Sequence, residues 1–258
     1  MRCAVTFHRS LRAVEFSCPV SKTRNWSLLF HSACVVGAGR VGKAVSARLA
    51  EGIPTRTTGR ELDCGDADLV VLCVPDQAIA EVAQAVPTGP WIAHTSGACS
   101  LDALDPHEHR FSLHPLQTFS LELGPEQLDG AWAAVSGESA PALDAGRALA
   151  ELLGLRPFEL DDDERAIYHA AAAFASSFLV TLHEVAAELM EAAGAPPEAL
   201  EPLMRRTMDN GFNHTGPLVR GDWETVDRHR RVIAARRPQL LPLYQALTDA
   251  EAALLAAR

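Results

Sequence analysis

The chain has 258 residues, a net charge of −10, 48% hydrophobic residues and 22% charged residues. That length suits one large or two modest domains with real cores, and the composition is that of an ordinary soluble globular protein. The acidic balance argues against a nucleic-acid partner, and no uninterrupted apolar run approaches the ~20 residues needed to cross a bilayer, so no membrane partner is expected.

Residues 1–30 form a distinct first segment, with Arg2, Arg9, Arg12, Lys22 and Arg24 against the single acid Glu15. It lacks the apolar core of a signal peptide. We expect a disordered tail or an extension from a start codon placed too early. The only lysines are Lys22 and Lys43, so the second half holds no lysine for a Schiff base or an acid. The six cysteines show no CxxC or zinc-ribbon spacing, a pattern that fits a reducing cytoplasm better than a disulfide scaffold.

Residues 31–159 alternate strand and helix signals. Ala33–Val36 reads as a first strand, followed by Gly37-x-Gly39-x-x-Gly42 and then by Val41, Ala44, Val45 and Leu49 at helical spacing. Strand, glycine turn and helix together are the context in which this motif binds a dinucleotide. Gly37 permits the turn, Gly39 lets the backbone approach a pyrophosphate, and Gly42 lets helix and strand pack closely. The helix N-terminus offers N–H groups to the phosphates. Further strands are expected at 54–58, 69–74, 91–95, 110–114 and 132–135. The run Leu69–Val74 is apolar throughout, as a parallel strand covered on both faces requires. The predicted fold is an α/β Rossmann domain with a doubly wound, mostly parallel sheet.

Arg40 and Val41 in the glycine turn, with Val74 and Pro75 at the end of the 69–74 strand, complete the expected coenzyme set. No acid stands near position 57, where a ribose 2′-hydroxyl would be taken, and Arg60 lies just beyond. An arginine there suits a 2′-phosphate, which favours NADP over NAD. Glu61 could serve the ribose if the strand end is shifted, and Arg60 could equally be a solvated loop residue.

Residues 160–258 read as all-helical. A helix of roughly 30 residues is predicted from the acids at 161–164 to Glu191, ending at Gly194-Ala-Pro-Pro197. Its alanines permit close packing within a domain or across a homodimer formed through this helical domain.

Six stretches carry a family resemblance: VVGAGRVG (35–42), DADLVVLCVPD (66–76), HTSGACSLDAL (94–104), SLHPLQTF (112–119), IYHAAAAFASSFLVTL (167–182) and HTGPLVRGDWETVDRH (214–229). The chain resembles bacterial two-domain proteins that join a Rossmann-like oxidoreductase module to the C-terminal domain of unknown function 2520. More distantly it is similar to 6-phosphogluconate dehydrogenase relatives, pyrroline-5-carboxylate reductases, β-hydroxyacid dehydrogenases and deazaflavin-dependent NADP reductases. The resemblance implies an NADP-type Rossmann domain followed by a helical domain. Two positions depart from it. Ser177 stands where the family usually has Asn, and Arg165 where it often has Lys, so the Lys and Asn chemistry of β-hydroxyacid dehydrogenases does not carry over.

In open α/β sheets ligands bind beyond the carboxyl ends of the strands. His94 and His114 each end a predicted strand, and a hydride transfer to C=O or C=N needs a proton donor. Either ring could instead bond its own loop. His169, early on the long helix, is a second donor candidate, or a core residue. By resemblance, Ser96 and Gly97 occupy the place of a substrate loop, although Ser96 could simply cap the turn that follows. Asn213 and Arg220 lie in a polar interhelical loop. Arg220 could clamp a substrate carboxylate or phosphate, or pair with Asp222. His107 and His109 have poor spacing for joint ligation, and no metal is expected. The reading is a cytoplasmic NADP-dependent oxidoreductase acting on a small, anionic carbonyl or imine substrate. Its rivals are a nucleotide-binding sensor without turnover and a deazaflavin-dependent NADP reductase.

Overall fold

The computed structural model describes residues 29–257. All but the last two residues of the expected N-terminal extension therefore lie outside the described residues. The chain separates into two compact units, one ending at Ser176 and the other beginning at Ser177.

The first unit is built on seven strands: β1 (Ala33–Val36), β2 (Thr55–Thr58), β3 (Leu69–Leu72), β4 (Trp91–His94), β5 (Arg110–Pro115), β6 (Trp132–Ser136) and β7 (Arg156–Glu159). They lie in the order β2-β1-β3-β4-β5-β6-β7. The first five are parallel, β6 runs antiparallel to β5, and β7 is parallel to β6. Helices α1 (Arg40–Ala50), α2 (Ile79–Ala85), α3 (Ala140–Leu152) and α4 (Arg165–Ala175) belong to this unit. The predicted doubly wound, mostly parallel sheet is thus what the chain forms.

The strand pleat sorts side chains into two cores. Ala33, Val35, Leu69 and Val71 join one cluster with Val45, Leu49 and Leu149, while Cys34, Val36, Val70 and Leu72 join another with Ile79, Ile92 and Leu104. Continuous apolar strands are required because both faces are covered. The direction of chain progress reverses between β1 and β3, which makes their carboxyl ends the switch point of the sheet.

Two elements differ from expectation. Strand β7 was not predicted. Its sequence Arg-Pro-Phe-Glu has neither alternation nor an apolar run, and its proline is tolerated because the strand lies at the sheet edge. The long helix expected from the acids at 161–164 to Glu191 is interrupted at Ser176 (φ −126°, ψ −84°), where α4 ends and α5 (Ser177–Ala193) begins. The Ser176 hydroxyl donates to the Ala172 carbonyl at 2.7 Å, a back-bond known to bend helices. Asp162–Ala193 nevertheless has the length and composition to cross a membrane. The expectation that no run did so rested on unbroken apolar stretches, whereas this run is alanine-rich with scattered polar residues.

The second unit is helical: α5, α6 (Leu200–Asp209), α7 (Trp223–Arg236) and α8 (Leu241–Ala256). Gly194 (φ 75°) ends α5, its N–H and that of Ala195 satisfying the carbonyls of Glu191 and Met190. Asp222 caps α7 through Thr225 N–H at 3.1 Å. His229 and Tyr244 bond at 2.9 Å between α7 and α8.

Candidate active site

The glycine turn follows β1 directly. Gly37 adopts φ +112°, and a Cβ there would run into the Cys73 carbonyl beyond β3. A Cβ on Gly42 would overlap the Gly37 carbonyl. At Gly39, by contrast, a Cβ would meet nothing within 4 Å. The turn is therefore closed toward the sheet and open outward. Helix α1 starts at Arg40 with no side-chain cap and no acid in its first turn. Its first N–H groups and positive dipole end are left for an anion, and the residues present fit a diphosphate bridge. Arg40 is exposed, Val41 packs on the core below, Val74 packs on the opposite core, and Pro75 is exposed at the end of β3. Arg60 is exposed in the loop after β2, where Thr58 donates its hydroxyl to the Glu61 carbonyl. No carboxylate occupies the end of β2 itself.

Three sequence-predicted residues meet beyond the ends of β4 and β5. A Cβ on Gly97 would lie 2.7 Å from His169 Cδ2 and 2.9 Å from His114 Cε1 and Nε2. The His114 and His169 ring centroids are 6.0 Å apart, edge to face. Gly97 is thus the gap into which both imidazoles reach. His169 lies on α4 and is exposed.

Tyr168 was not anticipated. Its hydroxyl lies 2.7 Å from His114 Nδ1. Burial pushes the phenol up to about 12, and the two groups share one hydrogen bond. With the phenol as donor, the neutral His114 ring carries its hydrogen on Nε2, the atom beside Gly97. Burial, reinforced by the neighbouring His169 and by the Arg165 cation, holds His114 down to about 4. The only sequence signal for Tyr168 was its place beside His169 on a helix.

Arg165 explains much of this electrostatics. Only 1% exposed, it donates to the Ser112 hydroxyl on β5, to the Ser136 hydroxyl on β6 at 3.0 Å, and to the Ser96 carbonyl. Asp162, its nearest carboxylate, stands 3.8 Å from Nε. A buried cation that is weakly countered disfavours a second positive charge nearby. His94 is wholly enclosed, and burial first, then Arg165, lowers it to about 3. Among the described residues neither His94 nitrogen has a partner at hydrogen-bond geometry, and the Ser100 backbone only partly offsets the lowering. His94 ends β4 as predicted, but its ring is sealed beneath the loop and does not line an opening.

Ser96 is buried and accepts from the N–H groups of Ala98 (3.1 Å) and Cys99 (3.0 Å). It shapes the loop that presents Gly97, while the helical turn Leu101–Leu104 starts at Ser100 without a side-chain cap. Asn213 and Arg220 belong to the second unit. Asn213 donates to the Asn210 carbonyl, and Arg220 to the Thr215 carbonyl at 2.9 Å. Both are exposed. His107 is bound to the Ala83 carbonyl at 2.9 Å, and His109 lies 3.4 Å from the Gly89 carbonyl. Among the described residues no group of three or more His, Cys, Asp or Glu gathers to hold a metal ion.

Fold and glycine turn together define a Rossmann-type protein with a helical C-terminal region. Residues 131–251 match the model of the Domain of unknown function (DUF2520), the family that the chain's C-terminal motifs resemble. Among solved structures, the chain is similar to a Bacteroides fragilis protein described as a putative NADP oxidoreductase, with a TM-score of 0.73 and 21% identity over 86% of this chain and 98% of that one. The Thermotoga maritima protein TM1727 aligns with a TM-score of 0.69 and 24% identity over 87% of this chain and 98% of its own. A 1-pyrroline-5-carboxylate reductase from Streptococcus pyogenes aligns with a TM-score of 0.54 and 14% identity over 88% and 98%. At these identities the likeness is one of fold. No curated protein matches the chain in sequence.

Proposed function

We propose that the protein is an NADP-dependent oxidoreductase acting on a small, anionic carbonyl or imine substrate. The observation that carries this reading is the meeting of His114, His169 and Gly97 at strand ends of the same sheet whose first crossover holds the open glycine turn. When bound, the nicotinamide coenzyme would supply or accept the hydride. The exposed Arg60, with no acid at the end of β2, supports a 2′-phosphate over a free ribose hydroxyl.

The chain's own residues divide the remaining work. His114 is neutral at neutral pH. It therefore has no imidazolium proton to give, and it orients a substrate oxygen or nitrogen through Nε2–H. His169, exposed beside it, gives or takes the proton. Tyr168 fixes the His114 tautomer, and Ser96 holds the loop that leaves room at Gly97.

The fluorescence of NADPH titrated with pure protein measures binding, and its absorbance over a panel of keto acids and imines measures turnover. We expect binding tighter for NADPH than NADH, and steady oxidation with at least one panel member. Absence of binding to either coenzyme would overturn the reading. A sensor without turnover is the second reading. It is favoured by Arg165, whose guanidinium is committed to buried partners and so cannot replace a catalytic lysine. Binding without consumption would select it.

We further propose a homodimer formed through the helical region, in the cytoplasm. Among the described residues none of α5 is fully buried, and Leu179 and Leu182, one turn apart on one face of it, stand exposed with Leu203 and Phe212. Exposed apolar side chains on one helix face are suited to an interaction surface. Glu184, Glu188 and Glu191 on α5 favour a protein partner over a lipid one.

A further inference from the structure

We propose that Cys34 and Cys64 form a reversible dithiol–disulfide couple that closes when the protein meets a peroxide. The two residues come from different elements, Cys34 from the middle of β1 and Cys64 from the β2–β3 connection, just past the segment carrying Arg60. Both are free thiols, and their sulfurs lie 2.7 Å apart. A small movement suffices to join them, since an S–S bond spans ~2.05 Å.

The environments of the two sulfurs assign them different roles. Cys34 is completely buried in the core under α2. Cys64 is half-buried and lines a cavity of about 340 Å³ shared with Asp66, Pro87, Gly89 and Pro90. A small oxidant can reach Cys64 through that cavity, while Cys34 is shielded. The Cys34 thiol donates its hydrogen to the Cys64 sulfur, and this lowers the Cys64 thiol below its ordinary range. The same bond, with burial, pushes the Cys34 thiol far up. Cys64 is therefore the attacking thiolate and Cys34 the resolving thiol.

The chemistry balances with hydrogen peroxide as oxidant. The Cys64 thiolate attacks one peroxide oxygen, the O–O bond breaks, and the departing hydroxide takes a proton to leave as water. Cys64 is then a sulfenic acid. The Cys34 sulfur attacks the Cys64 sulfur, and the S–OH bond breaks as the hydroxyl leaves with the Cys34 proton as a second water. The two cysteines lose two electrons, and the peroxide is reduced by two. The resulting ring encloses the glycine turn, α1, β2 and the Arg60 segment, and it fastens the far end of that segment to β1. Formation of the bond does not depend on the coenzyme reading.

Full-length protein exposed to equimolar hydrogen peroxide, alkylated and digested without reductant, tests this by peptide mass spectrometry. We expect one linked peptide pair joining Cys34 to Cys64, lighter by two hydrogens than the separate peptides and released by dithiothreitol. In Cys64→Ala, Cys34 should remain reduced at the same dose. Recovery of Cys64 as sulfinic acid beside an alkylated Cys34 would overturn the proposal, as would a bond from Cys64 to another cysteine. Oxidation of Cys34 in Cys64→Ala at the wild-type rate would overturn the assigned order of attack.

Discussion

His94 and His114 are kept neutral chiefly by burial, with the Arg165 cation adding to the effect. Their folded values, about 3 and about 4, lie below the ordinary histidine value of 6.5. The unfolded chain therefore takes up protons first as the pH falls. The stability tied to these rings is fully present above pH ~6.5. It is lost as the pH falls through the two folded values. We expect urea midpoints to be level above that pH and to drop steadily toward pH ~4, with a shallower drop in His114→Gln. A flat profile would refute the burial of the two rings. At Gly97 the argument is steric. In Gly97→Ala the added methyl displaces both imidazoles, and an ångström-scale misplacement costs on the order of 100-fold in turnover. NADPH oxidation should fall by that factor while coenzyme affinity is unchanged. The candidacy of His114, His169 and Gly97 was legible from their places at strand ends, on a helix start and in a loop. Their convergence was not, because no spacing in the chain links positions 97, 114 and 169.

At the level of elements, α4 is docked by one residue. Arg165 bridges α4 to β5, β6 and the loop after β4 through buried bonds. Replacing it by methionine leaves the Ser112 and Ser136 hydroxyls and the Ser96 carbonyl short of a partner. We expect Arg165→Met to lose about 3 kcal/mol in chemical denaturation. Arg165→Lys should recover part of this, since an ammonium reaches fewer partners than a planar guanidinium. The same residue shows where element prediction stops. The acids at 161–164 marked a helix start correctly, but the arginine read only as a departure from a family pattern. Its burial depends on serines 53 and 29 positions away. Strand β7 escaped for a related reason. A four-residue edge strand is held by the pairing offered by β6, not by any preference of Arg-Pro-Phe-Glu.

On the scale of the whole molecule, the exposed apolar side chains of α5 and α6 carry the proposal of a homodimer. Light scattering should give twice the chain mass of 27.7 kDa. The double variant Leu179→Glu/Leu182→Glu, with both changes on one face of α5, should scatter as a monomer, because two carboxylates cannot be desolvated in an apolar interface. A monomeric wild type would refute the proposal.

The sequence alone determined the class of fold, because strand runs, the glycine turn and helical periodicity are local signals that report which backbone each segment adopts. It also determined that the C-terminal region is helical and that a glycine turn follows β1. Only the tertiary structure decided which imidazoles meet, that His94 is sealed away, that Tyr168 bonds to His114, and that Cys34 faces Cys64. These depend on which residues, distant along the chain, the sheet order brings within a few ångströms. Burial and electrostatics then act on those neighbours irrespective of their separation in sequence.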